Sequence, residues 1–421
     1  MAQGTDSRKT KSGKAQAKPR GKVSYDRTAK KPPMEKPSQH TPIGLQQTIL
    51  NVFRGSFPDQ SGDLLQQLVQ ELKGHLFNRN FNKAFDRPDL QAAYAIRWSP
   101  SRALAYLEML CDLPILSNSM KKASSTLNNG KIAEKNGEES SKLTVSSGEL
   151  EAIQLLEGSH TSSESIDSKK LNIVCIGGGS GSELLAFAGY LKVLSLETGQ
   201  SSIDNIEATT DLENDLQLAF DIKIIDIADW SDVVAKLYTG ATNCPPLSKY
   251  SSTSTASRNP LVEPNSFSVS FTQQDVLQAE VELLASVLQN VTLVTMLFTL
   301  NELYSVSMSK TTNFLLALSY LMEAGSLLLV VDSPGSYSTI NMDNRSKQPD
   351  STSEKKYPMG WLLDHVLLKS SNIENSINTT KKGQWEKLIS NDSKWFRLPP
   401  TLKYSVELED MRYQLHLYRH C

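Results

Sequence analysis

Cysteine is scarce in this chain. Only Cys111, Cys175, Cys244 and Cys421 occur in 421 residues, and no two of them form a C-x-x-C pair. That scatter excludes a disulfide framework and a structural zinc site, and it fits a reducing compartment. Long apolar runs are missing as well. VTLVTMLFTL, at Val291–Leu300, falls far short of the roughly 20 residues that cross a bilayer. No signal-peptide h-region follows the amino terminus. Apolar residues make up 39% of the sequence, few enough to predict that some of the length is polar insertion outside any core. A soluble intracellular protein without bound metal or membrane contact is expected, and no internal repeat suggests a solenoid.

Charge is present but uneven. Residues 1–36 hold 11 Lys/Arg against 3 Asp/Glu, a local balance of +8 in a chain of net charge -2. With almost no apolar residues, a disordered basic arm over residues 1–40 cannot fold alone. It suits nucleic-acid binding or nuclear import, with a merely solubilising tail as the bland alternative. It lacks the apolar face of a mitochondrial transit peptide.

Residues 41–116 read as a helical extension. GDLLQQLVQELKGHLF repeats its apolar residues at helical spacing, with Gly74 as a late interruption. PDLQAAYAIRWSPSRALAYLEML gives two more helices parted at Ser99-Pro100. Residues 117–169 turn polar and read as a flexible insertion, with a short helix at 147–157.

From residue 170 to 421 strands alternate with helices, which predicts an α/β domain with a parallel sheet covered on both faces. The strands are NIVCI, IKIID, FSVSF, TLVTMLF and SLLLVVD, interrupted by insertions at about 239–264 and 341–357. Helices are expected at VLQAEVELLASVL, FLLALSYLMEA and GWLLDHVLL, among others. The alternation in YSVELEDMRYQLHLYRH predicts an antiparallel closing pair.

The chemistry centres on LNIVCIGGGSGSELLAF. Glycines at 177, 179 and 181 allow dihedrals closed to other residues and a close approach of ligand to main chain. The following helix presents unpaired N–H groups and its positive end to an anion. A dinucleotide would favour G-x-G-x-x-G/A, with Ser182 as the third small residue. S-adenosylmethionine favours G-x-G-x-G, which Gly177, Gly179 and Gly181 satisfy. An acid after the second strand should hold ribose hydroxyls. Asp226 fits that place, with Asp229 second, although 45 residues separate Gly181 from Asp226 where a compact dinucleotide unit has about 20. Asp275, closing the third strand, can accept from an adenine amino group, and Trp230 or Val276 can pack on the purine.

Several long motifs, in order, resemble the fungal 25S ribosomal RNA uridine-N3 methyltransferases: KGHLFNRNFNKAF, RWSPSRALAY, NIVCIGGGSGSELLAF, IDIADWSDVVAKL, TLNELYS and LEDMRYQLHLYR. The similarity covers about residues 42–115, 171–240, 265–335 and 360–420. It implies a Rossmann-like, seven-stranded class I fold that uses S-adenosylmethionine and methylates large-subunit ribosomal RNA. It also implies cofactor contacts from Gly177, Gly179, Gly181, Asp226 and Asp275. Most class I enzymes carry an acid, which helps order the loop around the methionine amino group, where this chain has Cys175. That role is left unassigned.

Uridine N3 carries a proton that must leave, which calls for a base or for a donor to the O2/O4 enolate. Asn301 and Glu302, at the end of the fourth strand, are the catalytic candidates, Asn301 on the base edge and Glu302 as proton acceptor. Capping of the next helix is the bland alternative. The absence of [DNS]-P-P-[YFW] there argues against adenine-N6 chemistry, and Cys244 is a remote candidate for a covalent C5 mechanism. Arg97, Trp98 and Arg102 could contact RNA by phosphate pairing and base stacking, or Trp98 could be core. The expected partner is ribosomal RNA or a pre-60S particle, with a monomer in the nucleus or nucleolus, or also in the cytoplasm. A non-catalytic assembly factor on the same fold and a nicotinamide-dependent oxidoreductase are the alternatives.

Overall fold

The computed structural model describes residues 40–59, 62–122, 170–201, 218–244, 259–335, 337–340, 355–369 and 385–421. The basic arm, most of the 117–169 insertion with its expected helix at 147–157, and much of the two later insertions lie outside them.

The extension folds into helices α1 (Ile43–Ser56), α2 (Gly62–Phe77), α3 (Phe81–Ala84), α4 (Pro88–Arg97) and α5 (Ser99–Cys111). The apolar spacing buries Ile49, Leu50 and Phe53 on α1 and Leu65, Leu68, Val69 and Leu72 on α2. Gly74 does not break α2, which continues to Phe77; a glycine costs a helix only about 1 kcal/mol. Prolines in the first turns of α4 and α5 mark both starts. Every residue of α5 from Ala103 to Leu110 is buried.

The main domain comprises β1 (Leu171–Ile176), α6 (Ser182–Ser201), β2 (Phe220–Asp226), α7 (Ser231–Thr242), β3 (Phe267–Gln273), α8 (Val281–Leu288), β4 (Val291–Leu297), α9 (Leu300–Val306), α10 (Met308–Leu321) and β5 (Leu327–Asp332). A small hairpin follows, β6 (Tyr337–Ile340) with β7 (Lys355–Pro358), and then α11 (Met359–Lys369), β8 (Trp385–Phe396) and β9 (Met411–His420). One seven-stranded sheet runs β3-β2-β1-β4-β5-β9-β8. The first five strands are parallel, and β9 is antiparallel to both neighbours.

Strand alternation sorts β1 between two cores. Leu171, Ile173 and Cys175 join the layer formed with α1–α7, while Val174 and Ile176 face α8–α11. The strand order reverses between β1 and β4, which opens a crevice at their carboxyl ends.

Two local expectations need correction. The partner of β9 is Trp385–Phe396 and not the segment YSVELED, which forms no strand. β8 was illegible because it is an edge strand with two register shifts and mostly exposed side chains. Helix α8 begins at Val281, five residues after the expected Val276, because Asp275 closes a turn, its carbonyl accepting from Gln278 N at 3.0 Å.

Candidate functional site

The turn after β1 is built around its glycines. Gly177 and Gly181 have φ of 78° and 82°, a region that side chains other than glycine's rarely adopt. Gly179 is required for a different reason: a Cβ there would run into the Trp230 indole. Trp230 is itself held in an aromatic cluster, with ring centroids 5.0 Å from Phe85 and 5.8 Å from Tyr94. The Gly177 amide donates to Ile225 O at 2.7 Å, and Thr299 Oγ1 donates to Ile176 O at 3.0 Å. Both bonds tie the turn to its neighbouring strand ends.

Asp226, at the end of β2, meets this turn directly. Its Oδ2 accepts from Gly179 N and its Oδ1 from Ala228 N, each at 3.1 Å. Burial pushes its carboxyl up to about 6, while the Ala228 and Gly179 amides, the Trp230 indole and the Ile227 amide pull it back. Asp275 sits across the β2–β3 boundary, where Gln274 N donates to Asp226 O at 2.7 Å. Its carboxylate accepts from Leu277 N at 2.9 Å and from Gln278 Nε2 at 2.5 Å. The structure therefore brings Gly177, Gly179, Gly181, Asp226 and Asp275 to one sheet edge. Val276 is buried in the core beside them.

Sequence reasoning missed a second carboxyl at the turn. Glu183, in the first turn of α6, is only 2% exposed. Its Oε1 accepts from Thr295 Oγ1 on β4 at 2.6 Å, and its Oε2 lies where a Cβ on Gly178 would fall. Burial pushes it up to about 8, the Thr295 hydroxyl opposes this, and the Asp226 charge adds to it. Cys175 beside it is fully buried, and its thiol is raised far above the ordinary range by burial. A cysteine paired with a glutamate eight residues later carries no recognised spacing, so the sequence alone offered no signal.

The catalytic and RNA candidates separate in space. The Asn301 amide donates to Asp332 Oδ2 at 3.0 Å, so the buried carboxylate at the end of β5 holds the first turn of α9. Glu302 has Oε2 3.8 Å from Arg79 Nη1, on the side of the helical extension. Phe298, just before α9, adopts φ 61°, a rare conformation for a bulky side chain and one that clusters at functional sites. Its ring stacks on Tyr106 at 6.4 Å, with the Arg102 guanidinium 5.7 Å from its centroid.

Arg97, Trp98 and Arg102 gather around Tyr94, with Arg97 itself buried. Arg97 is 8% exposed, donating to Glu407 O at 3.1 Å and pairing with Glu409, so it braces the loop before β9. Trp98 packs on Tyr94 at 5.1 Å, with Arg97 over its ring at 5.5 Å. Arg102, on the inward side of α5, donates to the Tyr94 hydroxyl and points toward the end of β4.

The helical extension also holds the cofactor-side loops. Ser99 Oγ donates to Ser180 O at 2.9 Å, and Gln91 Nε2 donates to Asp229 O at 2.7 Å. Cys244 lies beyond the end of α7, at the opposite sheet edge from the glycine turn, where it is exposed in a groove of about 960 Å³ beside α1. That position removes it from any covalent mechanism at the turn. His40, Glu108 and Asp112 also converge. Glu108 is occupied by His40 N at 2.7 Å and the Thr41 hydroxyl at 2.5 Å, and Asp112 pairs with Lys394, so the group reads as a staple for the start of the extension.

A reversed-hairpin seven-stranded sheet with a glycine turn and an acid after the second strand defines a class I methyltransferase. Residues 53–419 match the family described as "Putative SAM-dependent methyltransferase", and the chain belongs to that family. Its cofactor is S-adenosylmethionine, which sets aside the nicotinamide-dependent alternative. The chain is 30% identical over 383 residues to the 25S rRNA (uridine(2843)-N(3))-methyltransferase of Saccharomyces cerevisiae, covering 88% of this chain and 85% of the yeast protein. Among solved structures it is similar to a SAM-dependent methyltransferase from Methanosarcina mazei (9% identity, TM-score 0.28, 59% of this chain and 92% of the other). It is also similar to the 16S rRNA (adenine(1408)-N(1))-methyltransferase of Catenulisporales acidiphilia (11% identity, TM-score 0.26, 59% and 84%). The open glycine backbone, the half-buried Asp226 and the buried Glu183 suit a ligand with an adenosine and an amino-acid end.

Proposed function

We propose that this methyltransferase modifies N3 of a uridine in large-subunit ribosomal RNA, acting as a monomer in the nucleus or nucleolus on RNA or a pre-60S particle. The observation that carries the reading is the end-to-end similarity to the yeast uridine-N3 enzyme. S-adenosylmethionine supplies a methyl group on a sulfonium, open to in-line displacement. The chain's own task is positioning. Gly177, Gly179 and Gly181 offer the cofactor a bare backbone. Asp226 accepts from its ribose hydroxyls, and Asp275 accepts from the adenine amino group through lone pairs its turn leaves open.

The acceptor enters beside Phe298 and Asn301. Uridine N3 loses a proton as it is methylated, and charge spreads to O2 and O4. The Asn301 carboxamide contacts the base edge, and Glu302, next to Arg79, is the candidate proton acceptor. Burial of Arg97 leaves RNA affinity to the arm at 1–40 and to exposed cations of the extension.

Nucleosides from large-subunit RNA of cells with and without the protein test this directly. Loss of 3-methyluridine, restored by the wild type and not by Asp226→Ala, is expected. An unchanged nucleoside profile would overturn the reading in favour of a non-catalytic assembly factor.

A further inference from the structure

The residue at which class I enzymes place an acid is Cys175 here, fully buried and uncharged. A carboxyl nevertheless reaches the same spot from the other side of the turn. Glu183 comes from the helix that follows the glycines, and its Oε2 occupies the space next to Gly178. Thr295 fixes the other oxygen at 2.6 Å. A buried carboxyl with one oxygen on a hydroxyl and the other against a ligand-binding turn is poorly explained by stability alone, because burying a carboxyl is costly.

A cation lies near the same turn. Among the described residues Arg102 forms no ion pair, and its guanidinium donates to the Tyr94 hydroxyl. Its guanidinium lies over Phe298, whose neighbour Thr299 abuts Gly177. A cation and a carboxyl group near one ligand-binding turn are complementary to the two ends of a zwitterionic α-amino acid.

We infer that Glu183 and Arg102 hold the methionine end of S-adenosylmethionine, Glu183 Oε2 accepting from the ammonium and Arg102 pairing with the carboxylate. Glu183 thus takes over the role left vacant at Cys175. The inference rests on S-adenosylmethionine being the cofactor.

Calorimetry on the full chain with S-adenosylhomocysteine and 5′-methylthioadenosine, which lacks the amino-acid end, tests it. The wild type should bind the first at least ~100-fold more tightly, since charge-assisted hydrogen bonds contribute at each end. Glu183→Gln and Arg102→Met should each weaken S-adenosylhomocysteine about 10-fold or more, while leaving 5′-methylthioadenosine within about 2-fold. Asp226→Asn should weaken both ligands. Binding of 5′-methylthioadenosine reports that a variant is folded. Equal wild-type affinity for the two ligands, or equal losses on both in the Glu183 variant, would overturn the inference. A wild type that binds neither would instead overturn the cofactor assignment.

Discussion

Glu183 sets a conflict between stability and ligand binding in one side chain. Its carboxyl is pushed from 4.5 to about 8 mainly by burial. The unfolded chain therefore loses that proton at lower pH than the folded chain does. The group costs nothing below pH 4.5, and its destabilisation grows as pH rises toward 8, reaching ~4 kcal/mol. Around it stand Cys175 on β1, Asp226 on β2, Thr295 on β4 and Tyr106 on α5, all of which Glu183→Gln leaves in place. Chemical denaturation of the ligand-free protein should show Glu183→Gln more stable than wild type by roughly 2–4 kcal/mol at pH 8, with the gap closing toward pH 4.5. A gap independent of pH would contradict the assignment of the raised pKa to this residue. Such a trade is common where a site is kept for function.

At the scale of elements, the glycine turn depends on what packs under it. Trp230 is wedged against Gly179 and locked by Phe85 and Tyr94, so it cannot yield to a new methyl group. Gly179→Ala should lower stability by about 1–3 kcal/mol and weaken binding of both adenosine ligands, read from the same calorimetry with a thermal melt. An unaltered melt would show that the cluster adapts. The turn and Asp226 were legible in the sequence because both follow directly from strand ends, where local pattern fixes position. Glu183 was not legible, since which face of α6 meets the turn depends on tertiary packing. The burial of Arg97 was not legible either, because its partners Glu407 and Glu409 lie more than 300 residues away in the chain. β8 escaped for a related reason: an exposed, bulged edge strand carries little alternation.

For the whole molecule, the helical extension is part of the core. Helix α6 is buried from Leu184 to Leu194 apart from Lys192, which needs cover on two sides. The sheet supplies one side and α5 the other, with Ala103, Leu104 and Leu107 in the same cluster as Leu184, Phe187 and Leu191. A chain beginning at residue 170 should therefore fail to melt cooperatively and should bind apolar dyes in solution, measured by circular dichroism and fluorescence. A sharp transition in that fragment would show the sheet to be autonomous. The alternation of strands and helices made the sheet readable from sequence. The dependence of α6 on α5 was not readable, because an all-round apolar helix has no face to point with.

The order of the sheet also bears on how the protein is made. β9, last of the described strands in sequence, lies between β5 and β8, pairing Val331 with Leu415 and Trp385 with His420. While a growing chain still has residues 411–420 inside the ribosome, β5 has an open edge and β8 has no partner. The Asp332 end of β5 that anchors α9 then stands beside an empty strand position. Synthesis of this protein therefore withholds its finished ligand site until residues 411–420 have emerged, so a shorter nascent chain has no assembled centre with which to act.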